Sequence, residues 1–553
     1  MSDRLLEPDI DNYSGERHHC TMCVMLVFLV LIALSSASTA GESLADAEGS
    51  PIGTITIRRQ NVFNTDNPSE DKAVYRLVNR LHIMTREKVI AKQLLFESGE
   101  SFSEQRIEET ERLLRRNKYL FDANISATQQ EDGTVDITVD TRDVWTLNPE
   151  LSISRAGGES TTAFGIEENN LFGYGQRILL THTENVDRRS NTFEFFDRQL
   201  GQSWVSLNLR IADNSDGFSN LLSIVKPFQA LDTRWMAGGF IYDDDRRSAL
   251  YNLGDEVAEY RHKRKSYSAF TGWSGGLQDG WVKRWTVGVA YDDNQFSAVE
   301  NPVLPPAIPQ DRKLVYPFIG FEILEDQFQT SSNSNQIERA EDFYFGTRIS
   351  ATLGWSDTAF DADRDALIFT LAANTAYGSM ESKALLLTAN VRGRNESGTT
   401  TNATASFNAR YYFRQSEKRL FFARLSTTAG LNLDLDNPVE IGGDTGLRGY
   451  PLRYQSGDSR VLLTIEQRYF TDWYPLRLFR IGGAIFFDTG RTYGDDPLGG
   501  ANLGWLSDVG FGLRFAPTRF GTKKIIHLDI AFPLNGDPGI DSVQILLKAK
   551  SSF

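Results

Sequence analysis

Arg448 lies in GGDTGLRGYPLRY, residues 442–454, a stretch whose first eight residues include four glycines. So many glycines rule out a helix or strand interior. Segments of alternating polarity nevertheless flank it on both sides. Two such segments follow, VLLTIEQRYF and AIFFDTGRTY. With Val461, Leu463 and Ile465 on one face, Glu466 and Arg468 fall on the other. Likewise, Ile485 and Phe487 outward turn Ala484, Phe486, Asp488 and Gly490 inward. If these strands wall an enclosed space, a loop folded into it could bring Arg448 to Glu466 and Asp488. A guanidinium away from bulk water is costly without such a carboxylate partner. Spacing alone equally allows Arg448 to be an exposed loop charge and both acids to be ordinary wall lining.

Other chemistry finds little support. Past residue 40 the histidines are His82, His182, His262 and His527, and none stands in a nucleophile–base pattern. His527, in KKIIHLDIAF, alternates onto a strand face. The only cysteines, Cys20 and Cys23, lie near an apolar run, Met22–Leu34, that is followed by SSASTA. This reads as a signal peptide, residues 1–40, cleaved after Ala40, leaving no disulfide framework and no thiol chemistry. Its acidic start suggests that the true start codon lies later. The net charge is −15, and the leader's five acids against two arginines leave about −12 downstream. That balance disfavours nucleic acid as a partner, and RHKRK (261–265) reads as a solvated loop. Acidic loops invite calcium, but no coordination spacing supports a metal, and no cofactor is expected.

The elements that must position these residues fall into two groups. From 51 to 146 the pattern mixes periods: strand-like Ile52, Ile55 and Ile57, a helix after Thr85, and a second helix that Ser103 can cap. Two alternating runs around Ile125 and Val135–Val139 follow. The order is strand–helix–helix–strand–strand, with an extra helical piece, Asp71–Leu81, after the first strand. A short linker, 41–50, precedes it. From 147 to 553 the period is two throughout, as in WVSLNLRIAD and NATASFNARYYFR. Strands of about 9–11 residues with one apolar face suit a transmembrane antiparallel β-barrel. At roughly 25 residues per strand and connection, the expectation is about 16 strands. Asp243–Glu259, Asn301–Asp311 and Ser331–Glu341 read as long outside loops. The first strand, interrupted at Pro149, should pair weakly with the last, which ends at Phe553.

LRGY (Leu447, Arg448, Gly449, Tyr450) resembles the Val-Arg-Gly-Phe/Tyr motif of the sixth extracellular loop in the BamA/TamA/two-partner-secretion transporter superfamily. Leu447 takes the usual valine's place. FFDTG, containing Phe486, Asp488 and Gly490, resembles that family's aromatic-x-Asp-x-Gly strand motif, and TIEQRYF, with Glu466, matches the strand before it. The order of elements in 51–146 resembles one POTRA domain, and the terminal Phe553 is similar to an outer-membrane assembly signal. The resemblance implies that Arg448 threads into the lumen and pairs with Asp488. It further implies a bacterial outer-membrane barrel with its POTRA domain in the periplasm. The expected function is assembly, insertion or translocation of polypeptides without covalent chemistry. Its partners would be the outer-membrane bilayer, an unfolded client polypeptide and periplasmic or lipoprotein accessory proteins. The alternatives are a two-partner-type secretion transporter and a passive porin. An enzyme is not expected.

Overall fold

The chain's two periodicities become two architectures in a computed structural model. It describes residues 47–300, 304–305, 307–494, 496, 498–521 and 524–550. The expected signal peptide, most of the short linker and Phe553 lie outside the described residues. In the N-terminal domain the strands are β1 (Ile52–Gln60), β2 (Leu120–Gln129) and β3 (Val135–Asp143). The helices are α1 (Ala73–Leu81), α2 (Glu87–Ala91) and α3 (Glu104–Arg115). The sheet order is β1-β3-β2, with β1 parallel to β3 and β2 antiparallel to it. A parallel pair needs a long crossover, which the helices supply. Val135, Ile137 and Val139 on β3 alternate into a core with Ile90, Phe102 and Leu114. Ser103 stands at the N-cap of α3 with extended backbone, but its hydroxyl makes no capping bond.

After Trp145 the alternating segments form a closed barrel in which every strand is antiparallel to its neighbours. Outward positions carry exposed apolar side chains such as Ile153, Phe164, Ile241, Val289, Ile485 and Ile545. Trp235, Trp273, Trp285 and Phe321 stand opposite one another on four adjacent strands, forming an aromatic row near the N-terminal domain. Among the described residues no helix is long and apolar enough to cross a membrane.

The barrel has twenty strands among the described residues, not about 16. The cause is turn chemistry. Gly157-Gly158, Leu253-Gly254, Asp279-Gly280 and Ser397-Gly398 each put two successive residues at positive φ. Such pairs match the twist of a two-residue hairpin. Connections this tight bring the average to about 20 residues per strand and connection. Asp243–Glu259 is therefore no loop: strands Trp235–Asn252 and Asp255–Gln278 run through it and turn at Leu253-Gly254. Ser331–Glu341 lies at the other end of the barrel from that turn, between strands Arg312–Glu325 and Arg348–Ser356.

The barrel closes where the last strand, Gln544–Lys550, meets the first, Leu147–Ala156. Among the described residues one pair, Leu547 with Arg155, registers across this seam, whereas the first strand pairs with its other neighbour over ten positions. All the described residues belong to one compact unit.

Candidate functional site

The connection between strands Arg419–Leu431 and Ser459–Phe470 leaves the barrel end remote from the N-terminal domain and folds back inside. A short hairpin, Val439–Ile441 with Gln455–Gly457, stiffens it. Leu447 and Tyr450 bury their side chains with Ile441, Tyr454, Leu462 and Leu506. The Tyr450 hydroxyl donates to the Asn535 carbonyl (2.8 Å) and accepts from Ser507 N–H (2.9 Å). Gly490 lets the hairpin lie on the wall, since a Cβ there would stand 2.5 Å from Ile441 Cδ1.

Arg448 is 4% exposed. Its Nε and Nη2 donate to Asp488 Oδ2 (2.6 Å) and Oδ1 (3.0 Å), and Nη1 donates to Glu466 Oε1 (2.9 Å). The guanidinium carbon lies 3.4 Å from the centroid of the Phe486 ring. Two parallel N–H···O bonds to one carboxylate plus a third to another hold the guanidinium in a single orientation. The alternation that buries Asp488 (0% exposed) leaves its neighbour-but-two Ile485 outward at 58%. Asp488 stands opposite Asp508 on the next strand. Consecutive loop residues address this carboxylate pair: Arg448 takes Asp488, and Gly449 N–H donates to Asp508 Oδ2 (3.0 Å). A Cβ on Gly449 would come within 2.7 Å of Asp508 Cβ, so the approach requires glycine.

The cluster extends beyond the residues singled out in the sequence. Asp529 lies 3.9 Å from Arg448 Nη1 and pairs with the buried Arg514. Lys548, on the last strand, donates to the Gly443 carbonyl (2.9 Å). Period-two reading of LSDVGFGLRF and IIHLDIAF would have placed Asp508, Arg514 and Asp529 inside by the same parity that placed Glu466. No local signal marks the contact of Arg453 with Asp187, whose two bonds of 2.8 Å tie the loop to a turn 266 residues away.

A second segment enters from the opposite end. Between Arg312–Glu325 and Arg348–Ser356, a hairpin (Phe328–Ser331 with Glu341–Tyr344) carries residues 332–340 inward. Glu341 Oε1 accepts N–H bonds from Ser334, Asn335 and Gln336, which folds this turn on itself. Ile337, Phe343 and Phe345 pack on wall residues Tyr412, Leu420 and Phe422. Arg468 joins the two inward segments: its Nε donates to Glu466 Oε2 (2.9 Å) and its Nη1 to the Ser334 carbonyl (2.9 Å). The same segment meets the N-terminal domain through Arg115–Asp342 (2.6 Å), Arg112–Asp326 (3.4 Å) and an Arg339 bond to the Leu120 carbonyl (3.0 Å). Polar contacts thus run from the loop tip through Arg448, Glu466, Arg468 and Ser334 to α3. Elsewhere on α3, burial raises the Glu109 pKa, although Leu231 N–H donates to its carboxylate.

Among known families, residues 82–142 match the family model for POTRA, surface antigen variable number repeat. No curated protein matches the sequence. Similar solved structures include BamA from Haemophilus ducreyi lacking POTRA domains 1–3, at 13% identity and TM-score 0.40, covering 89% of this chain and 84% of that one. CdiB from Acinetobacter baumannii is 12% identical with TM-score 0.45, covering 98% and 88%. CdiB from Escherichia coli is 11% identical with TM-score 0.46, covering 99% of each chain.

Proposed function

We propose that this chain is a bacterial outer-membrane barrel, its POTRA domain in the periplasm, that inserts or translocates client polypeptides without covalent chemistry. The observation that carries this reading is the buried Arg448–Asp488–Glu466 cluster, which holds a loop inside the barrel above a domain docked under its mouth. The exposed apolar wall and its aromatic row supply the lipid contact. In this reading Leu447, Arg448, Gly449, Tyr450, Glu466, Phe486, Asp488 and Gly490 form a latch that holds the loop and stiffens one side of the wall. An edge of the β1-β3-β2 sheet takes extended client segments by strand addition. Phe553 serves as assembly signal, residues 1–40 as signal peptide, and 51–146 and 147–553 as the two functional domains. Periplasmic or lipoprotein accessory proteins are a further partner class.

Insertion is favoured over secretion or passive diffusion by two features. The lumen receives chain segments from both ends, each hydrogen-bonded to the wall. Among the described residues the seam registers by one residue pair. A client would find the wall easier to enter than the bore.

The test is reconstitution of the full chain in liposomes with an unfolded outer-membrane β-barrel as client. The expected result is faster client folding than in empty liposomes, reduced at least tenfold by Arg448→Ala. No acceleration, together with a large steady conductance in planar bilayers, would identify a porin instead. Passage of a soluble client across the bilayer without insertion would identify a secretion transporter.

A further inference from the structure

After the first strand the chain carries the helical insertion expected at Asp71–Leu81, to which the proposed function gives no role. It becomes α1, and it lies upstream of the segment that matches the POTRA family model. At 100° per residue its apolar positions span one continuous arc. Half of that arc is buried: Tyr75 stacks on Phe63, and Val78 packs against the same cluster, which includes Leu478 from the barrel. The other half is open, with Val74, Leu77 and Leu81 at 58%, 52% and 63% exposed. Arg76 and Arg80 occupy the polar side, with Arg76 paired to Asp71, while Lys72 at the N-cap has extended backbone and holds its ammonium 5.8 Å from the Tyr75 ring centroid.

The position of the helix identifies what covers this face. Tyr75 Oη donates to the Leu476 carbonyl (3.1 Å), which pins α1 to the barrel turn between strands Ser459–Phe470 and Phe479–Tyr493. That turn presents Trp473 and Leu476 outward, at 63% and 75% exposed. The neighbouring turn, between strands Leu506–Pro517 and Ile525–Pro533, adds Arg519, which bonds the Val62 carbonyl, pairs with Glu70 and donates to the Arg477 carbonyl. The helix and the barrel turn that holds it thus both expose apolar side chains at the rim. Exposed apolar residues beside basic ones are the composition of a helix lying in a bilayer interface. Acidic headgroups would answer Arg76 and Arg80.

We infer that α1 is an interfacial anchor: its Val74–Leu77–Leu81 face rests in the periplasmic leaflet beside the barrel, with its basic side toward anionic phospholipid headgroups. This rests on the outer-membrane reading. It would fix the height and tilt of the POTRA domain at the rim and give the domain a contact with the bilayer that the barrel alone does not provide.

The chain after residue 40 contains no cysteine, so single labels can be placed cleanly. The test uses the chain from residue 41 onward in vesicles containing about one-third phosphatidylglycerol, with an environment-sensitive fluorophore at Leu77→Cys, Arg76→Cys or Val289→Cys. Brominated phospholipids serve as quenchers. Val289, outward on the wall, reports whether the barrel is in the bilayer. The expected result is quenching at Leu77→Cys within about twofold of that at Val289→Cys, with little at Arg76→Cys. Quenching at Val289→Cys but not at Leu77→Cys would overturn the anchor while leaving the outer-membrane barrel standing. Quenching at neither would remove the membrane reading, and the anchor with it. A Leu77→Cys label that ignores lipid but shifts its emission when an unfolded outer-membrane protein is added would assign this face to clients and overturn the anchor.

Discussion

Arg448 is held by groups that cannot be removed independently. Deleting one member of a buried, hydrogen-bonded charge pair leaves the other unpaired, at a cost on the order of 3–5 kcal/mol. Arg448→Ala abandons Asp488 and Glu466 together, although Glu466 keeps Arg468. Asp488→Ala leaves Arg448 with Glu466 and the more distant Asp529. Arg448→Ala should therefore be the more damaging single change. The double variant should cost clearly less than the sum of the singles, by a coupling of about 0.5–3 kcal/mol in urea unfolding of the reconstituted barrel. Additive losses would mean that the two side chains do not act on each other.

Two elements carry predictions of their own. The first is the short hairpin of the inward loop, where Glu440 sits. Burial is the main cause that pushes its carboxyl up to about 7. Asp444 and Asp187 reinforce the shift, while Arg453 and Arg460 oppose it. A carboxyl whose folded pKa exceeds its unfolded value binds its proton more tightly when folded. Its contribution to stability is present below the ordinary carboxylate range and lost as the pH rises to about 7. Hydrogen exchange in residues 439–457 should slow as the pH falls from about 7.5 to 5.5, after correction for intrinsic rates. Glu440→Gln should flatten that dependence.

The second element is the seam. Leu547 faces Arg155, so Ser154 and Lys548 are one step along the ladder. A Ser154→Cys, Lys548→Cys pair should form a disulfide if the strands approach within its reach. Client insertion should stop on oxidation and return with reductant. Activity of the reduced variant controls for the lost Lys548 bond to the Gly443 carbonyl. Full activity with the seam quantitatively locked would exclude a lateral route.

At the scale of the whole molecule, polar contacts through the inward segment 332–340 connect the N-terminal domain to the loop at the far end. Arg115–Asp342 is the shorter of two ion pairs between α3 and the base of that segment, the other being Arg112–Asp326. Arg115→Asp should add a third carboxylate beside Asp342 and Glu111, both of which Arg115 now pairs, loosen the segment and raise single-channel conductance in planar bilayers severalfold. Adding Asp342→Arg restores opposite charges and should bring conductance back most of the way. Unchanged conductance in the single variant would show that the segment does not depend on this pair and is held by its remaining contacts, such as Arg414 with the Ser332 carbonyl and Arg339 with the Leu120 carbonyl.

The sequence by itself determined which face each barrel side chain occupies. Strand parity is a local property, so Glu466, Phe486 and Asp488 could be placed inside from their neighbours alone. It also determined the strand–helix–helix–strand–strand order of the N-terminal domain, because helical and strand periods differ within a few residues. Strand number was not legible from average spacing, since it depends on tight turns such as Leu253-Gly254 that allow longer strands with shorter connections. Only the tertiary structure decided that residues 331–341 enter the bore, that Arg468 bridges the two inward segments, and that α1 lies at the barrel rim. These are contacts between segments tens to hundreds of residues apart. They arise when the sheet closes on itself and brings its two ends and its interior within side-chain reach, and no local pattern encodes that closure.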